Sequence, residues 1–152
     1  MMDRREFAAL LGVAAFQHQH AALRKAPGDY RPQFFSKAEF DQVIGAAEAM
    51  LPGSKEAHVA SHIDLVLTHS EARRQARFRE ELRAFAAEAG TVAERFERLA
   101  PAEASPRTAA EAFFATLKGL TLFAFYTSEQ GLRGALGFQG NQVRASFPGC
   151  TA

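Results

Sequence analysis

The stretch from Thr108 to Ser128 reads as one long helix, and its second half, Leu120-Thr-Leu-Phe-Ala-Phe-Tyr126, is apolar on almost every side. A helix with a polar face can lie on the surface of a core. One that is apolar all round has to be covered all round, at the centre of a bundle or by another molecule. No segment alternates apolar and polar residues convincingly with the period of two that a half-buried strand requires. The expected architecture is therefore all-α: one small helical bundle of four or five helices, followed by an irregular Gly-rich C-terminal tail. A chain of 152 residues is sized for one such domain. Its 14 Phe, against no Trp and 2 Tyr, predict a core built on Phe and Leu.

The remaining helices are marked by their stops and starts. Ser36-Lys-Ala-Glu39 is a capping box, and Phe40, Val43, Ile44, Ala47 and Leu51 then recur on one helix face until Pro52-Gly53. A second helix fits Lys55 to His69, with Val59, Ile63, Val66 and Leu67 on one side. A charged helix from about Glu71 to Ala89 carries Phe78, Leu82 and Phe85 on a narrow stripe and closes at Gly90. A short helical piece with Phe96 and Leu99 precedes turns at Pro101 and Pro106. Upstream, Pro27 and Pro32 disfavour helix at the residues before them. The chain thus divides into a leader over 1–24, a linker over 25–35 and the helical domain over 36–152. After Glu129 there is no acidic residue, and Gly131, Gly134, Gly137 and Gly140 recur every three positions. These glycines follow a helix and lack the Gly-x-Gly-x-x-Gly order of a phosphate loop. They predict a helix stop at Gly131, then extended or turning backbone packed closely on something.

Charge and cysteine content exclude several functions. The 18 basic and 17 acidic residues leave a net charge of +1, too little to attract nucleic acid or an anionic membrane. The single cysteine excludes an internal disulfide, a c-type haem attachment pair and an iron–sulfur site within this chain. Arg4 and Arg5 stand just before the uncharged run Phe7 to Phe16, the arrangement of a twin-arginine export signal. That run is shorter than the ~20 residues of a permanent membrane span. The alternative is an amphipathic helix capped by Asp3 with Glu6 as its capping-box partner. No clear Ala-x-Ala cleavage site lies between Gln17 and Leu23, which leaves processing open.

Few residues suggest chemistry. His58 and His62 stand four apart on the expected second helix, a spacing that lets two imidazoles share a zinc or copper ion. The catalytic version of that spacing has Glu directly after the first His, where this chain has Val59, so surface or partly buried histidines are the plainer reading. Arg73, Arg74, Arg77 and Arg79 are interleaved with Glu71, Glu80, Glu81 and Glu88 at spacings of three and four, the pattern of a solvated, ion-paired face. Ser128 has no nucleophile motif around it and is better placed to bond a terminal helix carbonyl. Cys150 leaves the type II turn signature Phe147-Pro-Gly-Cys150, either as a reachable thiol suited to an intermolecular bridge or as a free, partly buried one. No catalytic residue, cofactor-binding residue or metal ligand is assigned.

Several segments, in order, resemble the small subunit (subunit 3, or gamma) of gluconate 2-dehydrogenase and related flavoprotein sugar dehydrogenases. The most specific are Tyr126-Thr-Ser-Glu129-Gln-Gly131, Leu136-Gly-Phe138-Gln-Gly140 and Phe147-Pro-Gly-Cys150. Weaker matches are Arg4-Arg5, Phe34-Phe35-Ser36, Met50-Leu51-Pro52 and Val59 to Leu67. The resemblance implies a non-catalytic helical subunit without flavin or haem of its own, bound to a large FAD-containing subunit of the glucose–methanol–choline type. It implies that the small subunit, through Arg4, Arg5 and Phe7, directs twin-arginine export of the folded complex to the periplasm. Electrons would pass to a multi-haem cytochrome c, and Cys150 would stand where an intersubunit disulfide forms. The expected partner interface is Leu120, Phe123, Phe125, Tyr126, Phe138 and Phe147. His58 and His62 depart from the family pattern, which has a small and an aromatic residue there. An alternative reading is an independent exported protein that binds a metal through His58 and His62.

Overall fold

Three helices of this protein begin in the same way. In each, a hydroxyl at the N-cap accepts the backbone N–H three residues on, and a glutamate at that third position accepts the N–H of the cap. Ser36 with Glu39 (3.3 and 2.8 Å), Thr91 with Glu94 (3.3 and 2.7 Å) and Thr108 with Glu111 (3.2 and 3.0 Å) form these reciprocal pairs. The computed structural model describes residues 30–140. In these residues the chain forms α1 (Lys37–Met50), α2 (Val59–Thr68), α3 (Ala72–Ala87), α4 (Val92–Leu99) and α5 (Ala109–Tyr126). A 3-10 turn at Ala100–Ala102 and a π-helical turn at Gln130–Ala135 complete the set. There is no strand among the described residues, so the fold is all-α.

The second helix starts later than its apolar pattern suggests, at Val59 instead of Lys55. Two interactions divert residues 51–58 into a tight turn. The Glu48 carboxylate reaches past the end of α1 to take the N–H groups of Gly53 (3.0 Å) and Lys55 (2.9 Å), and these bonds hold it below the usual carboxylate range. His58 adopts φ +55, a left-handed conformation, and so stands before the helix as its N-cap.

α5 is the axis of the bundle, packing against each of the other four helices. Its inner face supplies Phe113, Phe114, Leu117, Thr121, Ala124 and Phe125 to the core. A relay of phenylalanine rings runs through that core. Phe35 meets Phe78 (5.8 Å between centroids), Phe78 meets Phe113 (5.6 Å), Phe113 stacks on Phe85 (4.8 Å) and Phe85 on Phe96 (5.5 Å). The Phe-based core expected from composition is present, with Ile63, Leu67, Leu82 and Leu117 between the rings.

Of the stretch read as a linker over 25–35, the part from Tyr30 onward belongs to the folded body. Asp64, in the middle of α2, is fully buried and accepts the backbone N–H groups of Gln33 (2.8 Å), Phe34 (3.1 Å) and Phe35 (2.9 Å). The hydroxyl of Tyr30 adds a fourth bond at 2.8 Å. Arg79 closes the segment from the other side, donating to the Phe34 carbonyl at 2.5 Å with its guanidinium 4.1 Å from the Phe34 ring centroid. Proline kept this segment from being helical without keeping it from being core.

The tail also differs in detail from expectation. The last helix ends at Tyr126, and Gly131 lies within a resumed π-helical turn instead of stopping a helix. Its amide is fixed by Ser128 Oγ (3.1 Å), and the same hydroxyl donates to the Phe125 carbonyl at 2.6 Å. Ser128 thus bonds a terminal helix carbonyl, as its sequence context suggests. Gly131 is buried, and a Cβ there would run into the carbonyl of Phe125 and stand 2.7 Å from the Cα of Tyr126. The close packing expected of the glycine tail is realised at this one position. Turning backbone follows, with Gly137 at φ +64 and Gly140 at φ +99.

Candidate functional site

Because α5 is apolar around most of its circumference and its neighbours cover only part of it, the remainder faces solvent. Gly119, Leu122, Phe123 and Tyr126 are spaced i, i+3, i+4, i+7 and form one outward stripe. Phe123 is 61% exposed, and Leu122 and Tyr126 are exposed as well. Beyond the π turn, which packs on α5, Leu136 (60% exposed) and Phe138 also face outward. Exposed large apolar side chains gathered on one helix and its continuation are the usual mark of an interaction surface. No helix among the described residues is long and apolar enough to cross a membrane.

The residues expected at the interface divide three ways. Phe123, Tyr126 and Phe138 are available to a partner. Leu120 is partly buried against the core, and Phe125 is only 8% exposed, so it cannot meet another molecule directly. Phe125 is held inside because the α1–α2 turn folds over it. Its ring lies 3.5 Å from the position a Cβ of Gly53 would take. Phe147 and Cys150 lie outside the described residues, as do Arg4, Arg5 and Phe7. Leu122 and Leu136 are exposed members that the sequence reading did not single out. Leu122 was legible as the i+3 neighbour of Gly119, whereas Leu136 had no such signal, since its exposure follows from the turn that precedes it.

The two histidines considered for a metal are placed differently from a helical pair. His58 stands outside α2 in a left-handed cap, so the i, i+4 geometry of a shared helix face does not apply. His62 lies in the first turn of α2 with its ring 5.8 Å from that of Phe123. Its Nε2 is buried without a hydrogen-bond partner, and burial pushes its pKa below the usual histidine value. Among the described residues no group of three or more His, Cys, Asp or Glu side chains converges in a way that could hold a metal ion.

The arginine-rich helix α3 is less uniformly paired than its sequence suggests. Of the interleaved residues, Arg77 and Glu81 form an ion pair at 2.7 Å. Arg79 is committed to Phe34, and Glu88 pairs instead with Arg98 of α4 at 3.7 Å.

Comparison with protein-family models, with curated proteins and with solved structures gives no match to this chain.

Proposed function

We propose that this chain is the small, non-catalytic subunit of an exported FAD-dependent dehydrogenase complex. The observation that carries the reading is the solvent-facing stripe Leu122, Phe123 and Tyr126 on the helix that is also the axis of the bundle. A protein surface laid over that stripe and over Leu136 and Phe138 would remove these side chains from water. A specific interface of this kind buries on the order of 1,000 Å² or more. The resemblance of the flanking sequence to gluconate 2-dehydrogenase subunit 3 supports a flavoprotein of the glucose–methanol–choline type as the partner. In this reading Arg4, Arg5 and Phe7 direct twin-arginine export of the joined pair to the periplasm, and Cys150 bridges the subunits. A multi-haem cytochrome c accepts the electrons. The chain itself folds with, escorts and stabilises the catalytic subunit.

The test is co-expression of the large flavoprotein subunit with this chain, without it, and with its Phe123→Asp variant, followed by assay of periplasmic dehydrogenase activity. Full activity is expected only with the unaltered chain. Equal activity and equal export in all three cases would overturn the reading. A non-reducing gel of the same complex should show a covalent heterodimer that Cys150→Ser removes.

A further inference from the structure

A second surface on this protein has the chemistry of a docking site. Helix α3 carries five arginines against two glutamates, although the whole chain is nearly neutral. Near its N-terminal end, Arg73, Arg74 and Arg77 line a groove of about 440 Å³ whose lining also includes Thr116 of α5 and the edge of the buried Phe78. Two carboxylates also line it. Glu81 is buried and bonded to Arg77, so its charge is matched within the protein, and Glu71 lies on the exposed rim. Arg73 and Arg74 are exposed and pair with no carboxylate among the described residues. Three arginines against two glutamates, of which only Arg77 and Glu81 are paired with each other, leave the lining of this concave surface locally cationic.

One wall of the groove belongs to the same helix as the apolar stripe. Thr116, Gly119 and Phe123 are spaced i, i+3, i+7 on α5, so the groove's wall and the centre of the stripe lie on one helix face, about 10 Å apart along its axis. We propose that this groove is an electrostatic docking site for an acidic protein segment, one that presents two or more carboxylates beside the apolar ridge covering Phe123. Guanidinium forks suit carboxylates because two parallel N–H bonds fit the two oxygens. Charge at the rim of an apolar contact acts mainly on the encounter rate and on the choice of partner. The location of the site rests on the reading of α5 as an interface, whereas its chemistry rests on the groove alone.

The test uses a fluorescein-labelled octaglutamate peptide and the full chain, with fluorescence anisotropy read at low salt. The unaltered protein is expected to bind. Reversing Arg73 and Arg74 together to Glu should weaken binding at least about tenfold, while reversing Lys37 and Lys55, which are exposed and do not line the groove, should change it less than about twofold. Phe123→Asp should bind the peptide at least as well as half the unaltered affinity. Absence of binding at low salt overturns the proposal, and so does an equal loss in the two charge-reversed proteins. Displacement of the peptide by inorganic phosphate at equal charge concentration would assign the groove to free anions and overturn it too. The flavoprotein is absent from this assay. A null result here therefore leaves the proposed subunit role standing, and failure of the co-expression test leaves the groove's chemistry standing.

Discussion

The Tyr30 hydroxyl donates a 2.8 Å hydrogen bond to Oδ2 of Asp64, joining the first described residue to the centre of α2 across 34 positions of sequence. With three backbone N–H groups on the same carboxylate, the charge of Asp64 is met entirely by donors. Burial and the neighbouring carboxylate push the Tyr30 hydroxyl far above the usual phenol range, which keeps it the donor in this bond.

Replacing Asp64 with Asn keeps the shape and removes the charge, and it turns an NH2 group toward donors that need an acceptor. Hydrogen bonds to charged groups contribute about 1.5–3 kcal/mol, so Asp64→Asn should destabilise the fold by about 2–4 kcal/mol. Tyr30→Phe removes one of the four donors to the same carboxylate and, because the phenol is only part-buried, should cost about 1.5 kcal/mol, the low end of that range. Urea denaturation midpoints of the two variants check this. Equal losses would mean that the charge and its backbone donors contribute no more to the anchor than the single Tyr30 bond.

This anchor shows how far the sequence could be read. The helices of the bundle were legible because the Ser36–Glu39 capping box, Gly90 and apolar spacing all act within a few residues of where they appear. The role of 30–35 was not, because its decisive contact is made by a single acid on another helix. Asp64 does stand out as the one charge in Val59 to Leu67, yet nothing local says which donors it meets. The same limit applies to the candidate interface. The apolar run on α5 was plain, but whether Phe125 or Phe123 faced outward depended on the α1–α2 turn, which Glu48 and the left-handed His58 shape.

Gly131 and Gly134 belong to the same three-residue repeat and should respond differently to alanine. At Gly131 the added methyl meets the Phe125 carbonyl and the Tyr126 backbone, so the π turn must move off α5, at a cost of about 1–3 kcal/mol. At Gly134 no atom of the described residues beyond the neighbouring backbone lies within 4 Å of a Cβ, and the change should be neutral within about 0.5 kcal/mol. Thermal melts of both variants make the comparison.

The buried side of His62 gives stability a pH dependence whose sign is fixed. Its folded pKa lies below the ordinary value of 6.5 because burial disfavours the charged ring. Above 6.5 both folded and unfolded forms are neutral there and the residue contributes no slope. As pH falls through 6.5 the unfolded chain takes up the proton first, and stability drops until the folded form is protonated as well. Denaturation midpoints measured at about pH 7.5 and about pH 5.5 should therefore differ, and the difference should shrink in His62→Leu. An unchanged slope in that variant would place the titration elsewhere.

Gly119 separates the stability of the chain from its association. It stands in the interior of an 18-residue helix, where glycine is about 0.5–1 kcal/mol less favourable than alanine. Apart from the helix's own neighbouring backbone, no atom of the described residues lies within 4 Å of the position its Cβ would take, so packing among them gives no reason for glycine there. Gly119→Ala should accordingly raise the stability of the isolated chain by about 0.5–1 kcal/mol, measured by urea denaturation. If a partner's backbone approaches the stripe beside Phe123, a larger side chain at the same point obstructs it. Gly119→Leu should then keep the helical circular dichroism of the unaltered chain while weakening retention of the co-expressed flavoprotein at least about tenfold. Full retention by Gly119→Leu would show that no surface comes close to this part of α5.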